Sequence, residues 1–172
     1  MNKVITTLKN INNVCYLSLN GIKTFAKVVN VKDGDTIELI IPSFNGYYRY
    51  NTRINGIDTC EIHSTNTDIK DMAKKAKNRV IELLLNKNIE NLKEMNRKYI
   101  KSIFEKENII VWVECYDFDK YGRLLANVFL YDEKLNKIDK NSISDILISE
   151  KLAYKYDGGT KLTEEDQLDI LR

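Results

Sequence analysis

Proline occurs once in the chain, at Pro42, and histidine once, at His63. With a single proline and no low-complexity stretch, nothing marks a linker, so the 172 residues read as one domain spanning 1–172 with a core of its own. Cysteine is scarce and unpaired in pattern. Cys15, Cys60 and Cys115 are odd in number and none stands in a C-x-x-C or Cys/His ligand spacing. That excludes a disulfide framework and a zinc site and suits a reducing compartment. No run approaches 18 apolar residues, and the first fifteen residues alternate polar and single apolar side chains without an apolar core. The sequence therefore offers neither a membrane span nor a signal peptide, and the expectation is a soluble, intracellular protein without membrane partners. Formal net charge is only +2. Residues 132–172 hold ten Asp/Glu against seven Lys/Arg, which leaves the basic character in residues 1–131.

What is present alternates first with a period of two. Residues 14–19 followed by Asn20-Gly21 read as an accessory strand and hairpin turn within residues 1–23. Residues 25–31, broken by Asp33-Gly34-Asp35, and residues 36–41 form a second hairpin. Pro42 ends that strand, Asn45-Gly46 turns the chain, and residues 47–54 complete a three-stranded meander. From Ile69 the apolar spacing becomes helical, through Met72, Ala73, Ala76, Val80, Leu83 and Leu84. A second helical pattern over 89–106 lies in an insertion, 87–108, and is expected outside the main fold as an antiparallel partner of the first. Strands over 109–115 and 124–131 follow, then helices over 141–152 and from Thr163, with Asp166 placed for a capping box. The order β-β-β-α-β-β closed by helices fits an α+β protein: a five-stranded OB-fold barrel with a helix between its third and fourth strands and C-terminal helices. An α+β sandwich is the competing arrangement.

Three polar clusters interrupt these strands. In the first, Arg53 to Glu61, a guanidinium and the carboxylates of Asp58 and Glu61 fall where an apolar strand gives way to loop. Carboxylates at a strand end suit a hard cation, and a nearby guanidinium suits the anion that such a cation holds. The second cluster is Asp33-Gly34-Asp35-Thr36, in which Asp35 would add a carboxylate from the neighbouring strand; Asp-Gly is equally a good hairpin turn. The third, Asp119-Lys120-Tyr121-Gly122-Arg123, is either a polar turn or the source of a second guanidinium.

These segments, in this order, together with Ala153-Tyr154-Lys155-Tyr156, resemble the signature segments of the staphylococcal nuclease-like (thermonuclease) family over roughly residues 24–160. The resemblance implies Ca²⁺, or another divalent ion, held by Asp35 and Asp58 and by the backbone carbonyl of Thr59. It implies Glu61 acting on the attacking water, with Arg53 and Arg123 clamping the scissile phosphate. Lys120, Tyr121, Tyr154 and Tyr156 would line the nucleotide pocket. The implied activity is hydrolysis of DNA and RNA with little sequence preference, single strands preferred, to 3′-phosphate products, by a monomer. The rival is a catalytically silent OB-type nucleic-acid-binding or scaffold module. Presence of the whole acid and arginine set favours the enzyme. Cys60 departs from the pattern by standing where the family has proline, and is expected to be a small buried residue. His63 reads as a surface loop residue with no chemical role.

Overall fold

The structure is a computed structural model that describes residues 2–87 and 97–171. Its centre is an antiparallel sheet that closes on itself. Strands β1 (Lys23–Val31), β2 (Thr36–Ser43) and β3 (Gly46–Ile54) form the meander, and β5 (Ile110–Phe118) and β6 (Leu124–Asp132) the second hairpin. β5 pairs with β1, and β6 joins β3 in parallel at Thr52↔Leu124, Arg53↔Leu125 and Ile54↔Ala126. The result is the closed five-stranded barrel of an OB-fold, with β7 (Lys137–Ser142) appended to β6. The β3–β6 pairing closes the barrel at residues 52–54.

Alternation decides the filling of the barrel. Val28, Ile37, Leu39, Ile54, Val111, Val113, Leu124 and Val128 all point inward and are buried. Helix α2 (Thr67–Leu85) closes one side of this core with Val80, Ile81, Leu84 and Leu85. Asn66 starts the helix by accepting from the N–H groups of Asp68 and Ile69, and Asn86 ends it in the left-handed conformation. A short ladder between β4 (Ile57–Asp58) and β8 (Tyr154–Lys155) ties the loop after β3 to the segment after α4 (Ile143–Ser149). Helix α5 (Glu164–Leu171) opens on the reciprocal bonds between Thr163 and Asp166 and sets Leu171 against Cys60, Ile69 and Ala73. Among the described residues no helix is long and apolar enough to cross a membrane.

Four local expectations are corrected. Residues 14–19 form no strand: the chain begins with helix α1 (Lys3–Asn10), all exposed, and of the expected strand only Leu19 is buried. Residues 14–18 are exposed and pair with no strand among the described residues, so their strand-forming side chains gain no burial there. Pro42 lies inside β2, opposite Tyr47. The β2–β3 turn is centred one residue earlier than Asn45-Gly46, because Ser43 pairs with Gly46 and leaves Phe44 (φ 48°) and Asn45 (φ 60°) as the loop. Both are left-handed, and for a phenylalanine that conformation costs on the order of 1–2 kcal/mol. Finally, α3 (Arg97–Glu107) packs chiefly on β1 rather than along α2, and Ile100 and Phe104 are part of the main core. The first part of the expected 89–106 helix lies outside the described residues.

Because Phe104 is fully buried, Phe104→Ala is expected to cost about 3–5 kcal/mol in urea unfolding, the range for removing a ring from a packed core. A helix merely appended to the barrel would lose almost nothing.

Candidate active site

Three connections converge where β3 runs into β4. Arg53, near the end of β3, is almost fully buried. Its Nη1 stands 2.5 Å from Asp35 Oδ2, and its Nη2 bonds Asp58 Oδ1. Nη2 also donates to the Ile57 carbonyl at 3.0 Å. The barrel register explains the convergence: Thr36 faces Arg53 across β2–β3, and the Ile54 N–H reaches the Asp35 carbonyl at 2.8 Å. Burial alone would raise the Asp35 carboxyl, but Arg53 beside it outweighs that and holds it below the ordinary carboxylate range. Thr36 Oγ1 donates to the other Asp35 oxygen at 2.9 Å, and the Thr59 N–H and hydroxyl reach Oδ2 at 3.3 and 3.4 Å.

The turn carrying Asp33 and Asp35 sits close to helix α2. A Cβ on Gly34 would stand 2.8 Å from the Ala76 Cβ and 3.0 Å from Thr59 Cγ2. Glycine is needed here for close approach, since Gly34 has no positive φ. Burial first, and the Asp35 charge second, push the Asp33 carboxyl up to about 6.

Asp58 has two further partners that its neighbourhood in sequence does not show. Tyr154, opposite it in the β4–β8 ladder, donates from its hydroxyl to Oδ2 at 2.6 Å, and burial with this bond raises the phenol well above its ordinary value. Lys161 Nζ lies 3.2 Å from Asp58 Oδ1 and 2.7 Å from Glu61 Oε1. Glu61 itself is largely exposed, 64% of its side chain being accessible.

Arg123 arrives through the β5–β6 loop. Asp119 organises that loop, accepting from the N–H groups of Tyr121 and Arg123 and from Arg123 Nε at 2.7 Å. These bonds outweigh burial and lower the Asp119 carboxyl. Gly122 takes the positive φ, 75°, that the turn needs. The Tyr121 ring lies 5.5 Å from the Arg123 guanidinium and 5.1 Å from Lys120 Nζ, while Tyr156 stands 5.8 Å from that of Arg53. Two adjoining cavities share both arginines. One, of about 380 Å³, is lined by Asp33, Asp35, Thr59, Glu61, Lys77 and Lys161 among others. The second, of about 440 Å³, is lined by Lys120, Tyr121, Tyr156 and the 54–57 turn.

Every residue expected at the site is therefore brought to it, with one change of place. Tyr154 is buried and its hydroxyl is committed to Asp58, so it orients the carboxylate and does not line either cavity. Lys161 was not foreseen, and no local signal marks it, because its partners lie some hundred residues earlier. Cys60 is buried as expected, its thiol pushed up to about 11 by burial and then by Asp58, which makes it a poor nucleophile. His63 is exposed at the rim.

A family model described as staphylococcal nuclease homologue matches residues 51–171. The chain belongs to the staphylococcal nuclease homologue family. The match covers Arg53, Asp58, Thr59, Glu61, Arg123, Tyr154 and Tyr156; Asp35 precedes it and is tied to the set by its contact with Arg53. A search of curated proteins finds no match to the chain.

Two measurements follow from this geometry. Arg53→Met leaves two buried carboxylates without their shared cation and is expected to cost about 3–5 kcal/mol of unfolding free energy in EDTA; a loss below 1 kcal/mol would contradict the ion triad. Asp119→Asn is expected to lower stability at neutral pH. Because the folded Asp119 carboxyl lies below its ordinary value of 3.8, the wild-type advantage is fully present above that value and disappears as pH falls through the folded pKa. Urea titrations at pH 7, 4 and 2.5 read it directly.

Proposed function

We propose that the chain is a divalent-metal-dependent, Ca²⁺-preferring nuclease that hydrolyses DNA and RNA phosphodiesters with little sequence preference, leaving 3′-phosphates. The observation that carries this reading is the buried Asp35–Arg53–Asp58 triad opening onto a cavity that also holds Glu61 and Arg123.

The donors expected to hold a hard cation, the carboxylates of Asp35 and Asp58 and the backbone carbonyl of Thr59, with Asp33 on the same cavity, are all oxygen. They fit as part of a shell, since among the described residues no group of three or more acidic, His or Cys side chains stands ready round one point. Arg53 pairs with both Asp35 and Asp58, so an ion held by these carboxylates would compete with the guanidinium for them. The ion would supply Lewis acidity and neutralise phosphate charge.

The chain's own residues do the rest. Arg53, once freed from its carboxylates, presents two parallel N–H donors to a phosphate, and Arg123 presents a second pair from a loop fixed by Asp119. Charge that builds on the phosphoryl oxygens would be met by these guanidinium donors. Glu61, exposed at the cavity, accepts the proton of the attacking water or orients it; Lys161 must yield for that bond to form. Tyr156 and Tyr121 offer faces on which any base can stack, which accounts for weak sequence preference and for preference for single strands.

The rival is a nucleic-acid-binding module without catalysis. It draws support from the same contacts, because Arg53 and Lys161 occupy the carboxylates that an active site would use. Assay of single-stranded DNA with Ca²⁺, Mg²⁺, Mn²⁺ or EDTA separates the two. Cleavage is expected with Ca²⁺ and none in EDTA. Glu61→Ala is expected to lose roughly 10²–10⁴ in rate. Arg123→Lys is expected to lose on the order of 10² or more, a point charge replacing a fork, with the fold intact. Absence of cleavage with every metal would overturn the enzyme reading and favour the module.

A further inference from the structure

We propose that Lys161 is a tethered cation capping Asp58, and that the readiness of its ammonium to leave sets how tightly the site takes up a divalent ion. The inference rests on the reading of Asp58 as a metal ligand and adds a determinant of ion affinity from the segment between β8 and α5.

Burial singles out this partner. The Asp58 side chain is only 1% exposed and is enclosed by three donors: Arg53 and Lys161 on Oδ1, and the Tyr154 hydroxyl on Oδ2 at 2.6 Å. Arg53 and Tyr154 are themselves buried, whereas the Lys161 side chain is 45% exposed. Lys161 and Glu61 line the cavity of about 380 Å³, and Asp58 does not. The ammonium, 3.2 Å from Asp58 Oδ1 and 2.7 Å from Glu61 Oε1, therefore stands on the water side of the buried carboxylate. An ion approaching Asp58 from the cavity meets a positive charge already there, and two cations this close repel unless one withdraws. Of the three partners Lys161 withdraws most readily, because its flexible stem lets the ammonium move out and stay hydrated.

The backbone under Lys161 is held, which separates it from a loose surface lysine. On one side the Tyr156 hydroxyl donates to the Gly159 carbonyl at 2.6 Å, and the Tyr156 N–H to the Gly56 carbonyl at 3.0 Å. On the other, the buried Gln167 donates to the Leu162 carbonyl at 2.9 Å, and Ser64 Oγ donates to Glu164 at 2.6 Å. These bonds fix where the side chain starts and leave its four-carbon stem free to swing. Tethering keeps the ammonium at a high effective concentration beside the carboxylate, so it returns whenever the ion leaves. A cap that is off in about one molecule in ten weakens the apparent ion affinity about tenfold.

The test is calorimetric titration of the whole chain with Ca²⁺, without nucleic acid. Lys161→Met keeps the stem and removes the charge, and is expected to bind Ca²⁺ about tenfold more tightly than wild type. A side chain of purely structural use would weaken the ion on removal. Lys32→Met takes a charge from the same cavity, one whose ammonium lies 3.3 Å from Glu38, and is expected to change the affinity by no more than about twofold. An equal gain from both variants would overturn the cap in favour of a general field. In the wild type, acetylation of Lys161 by acetic anhydride, read by peptide mass spectrometry against the exposed Lys9, is expected to rise as Ca²⁺ saturates the protein; no rise would overturn the cap. The two readings fail separately. Ca²⁺ binding at equal affinity in wild type and Lys161→Met removes the cap and leaves the nuclease standing. Tighter binding by Lys161→Met without DNA cleavage by either protein keeps the cap and removes the nuclease, and failure of both to bind any divalent ion overturns both.

Discussion

The structure depends on one buried cation. Arg53 enters a barrel wall from which water is nearly excluded, and it is tolerated there because Asp35 and Asp58 flank it from two other connections. Such a triad adds little net stability when compared with an apolar replacement, because desolvation offsets most of the attraction. Its effect is one of specification. The β1–β2 turn, the end of β3 and the β4–β8 ladder can meet in only one way that leaves none of the three charges alone.

The remainder of the site follows from that meeting. Asp58, held by Arg53 on one oxygen and by Tyr154 on the other, fixes β4 against β8 and thereby brings the segment carrying Tyr156 and Lys161 over the cavity. Closure of the barrel between β3 and β6 starts at Thr52↔Leu124, so Arg123, one residue before that pair, arrives beside the arginine end of β3. Gly34 lets the acidic turn sit against α2 and Thr59. A constellation of charged and aromatic side chains assembled this way is built mainly from strand ends and the loops that they anchor, where small shifts in side-chain position are suppressed.

Much of this was legible in the sequence, and the reasons are local. Apolar, β-branched runs at 25–31 and 109–115, alternation in 36–41 and the helical spacing from Ile69 gave the barrel order, because each pattern reports a buried or half-buried surface. Asp35, Arg53, Asp58, Glu61 and Arg123 stood out as charges at strand ends. What escaped were roles created by pairing between distant segments. Tyr154 becomes a support for Asp58 only through the β4–β8 register, and Lys161 reaches Glu61 across a hundred residues. The frame of the β2–β3 turn was misread by one residue because Asn-Gly is the stronger local signal, and tertiary register placed Phe44-Asn45 there instead. Helix α3 was expected outside the barrel as an insertion, but the stripe of Ile100 and Phe104 finds the core through β1.

The central proposal is that the Arg53 guanidinium, paired with Asp35 and Asp58 in the structure, exchanges those carboxylates for phosphate oxygens when a divalent ion and a nucleotide bind. Guanidinium resonances of ¹⁵N-labelled protein, with Arg53 assigned by substitution, report this directly. Addition of Ca²⁺ with a deoxynucleotide 3′,5′-bisphosphate is expected to shift the Arg53 Nη signals and change their exchange with water, as the carboxylate bonds are replaced by bonds to phosphate. If those signals stay unchanged while Ca²⁺ saturates the protein, the guanidinium remains in its clamp and the account is wrong.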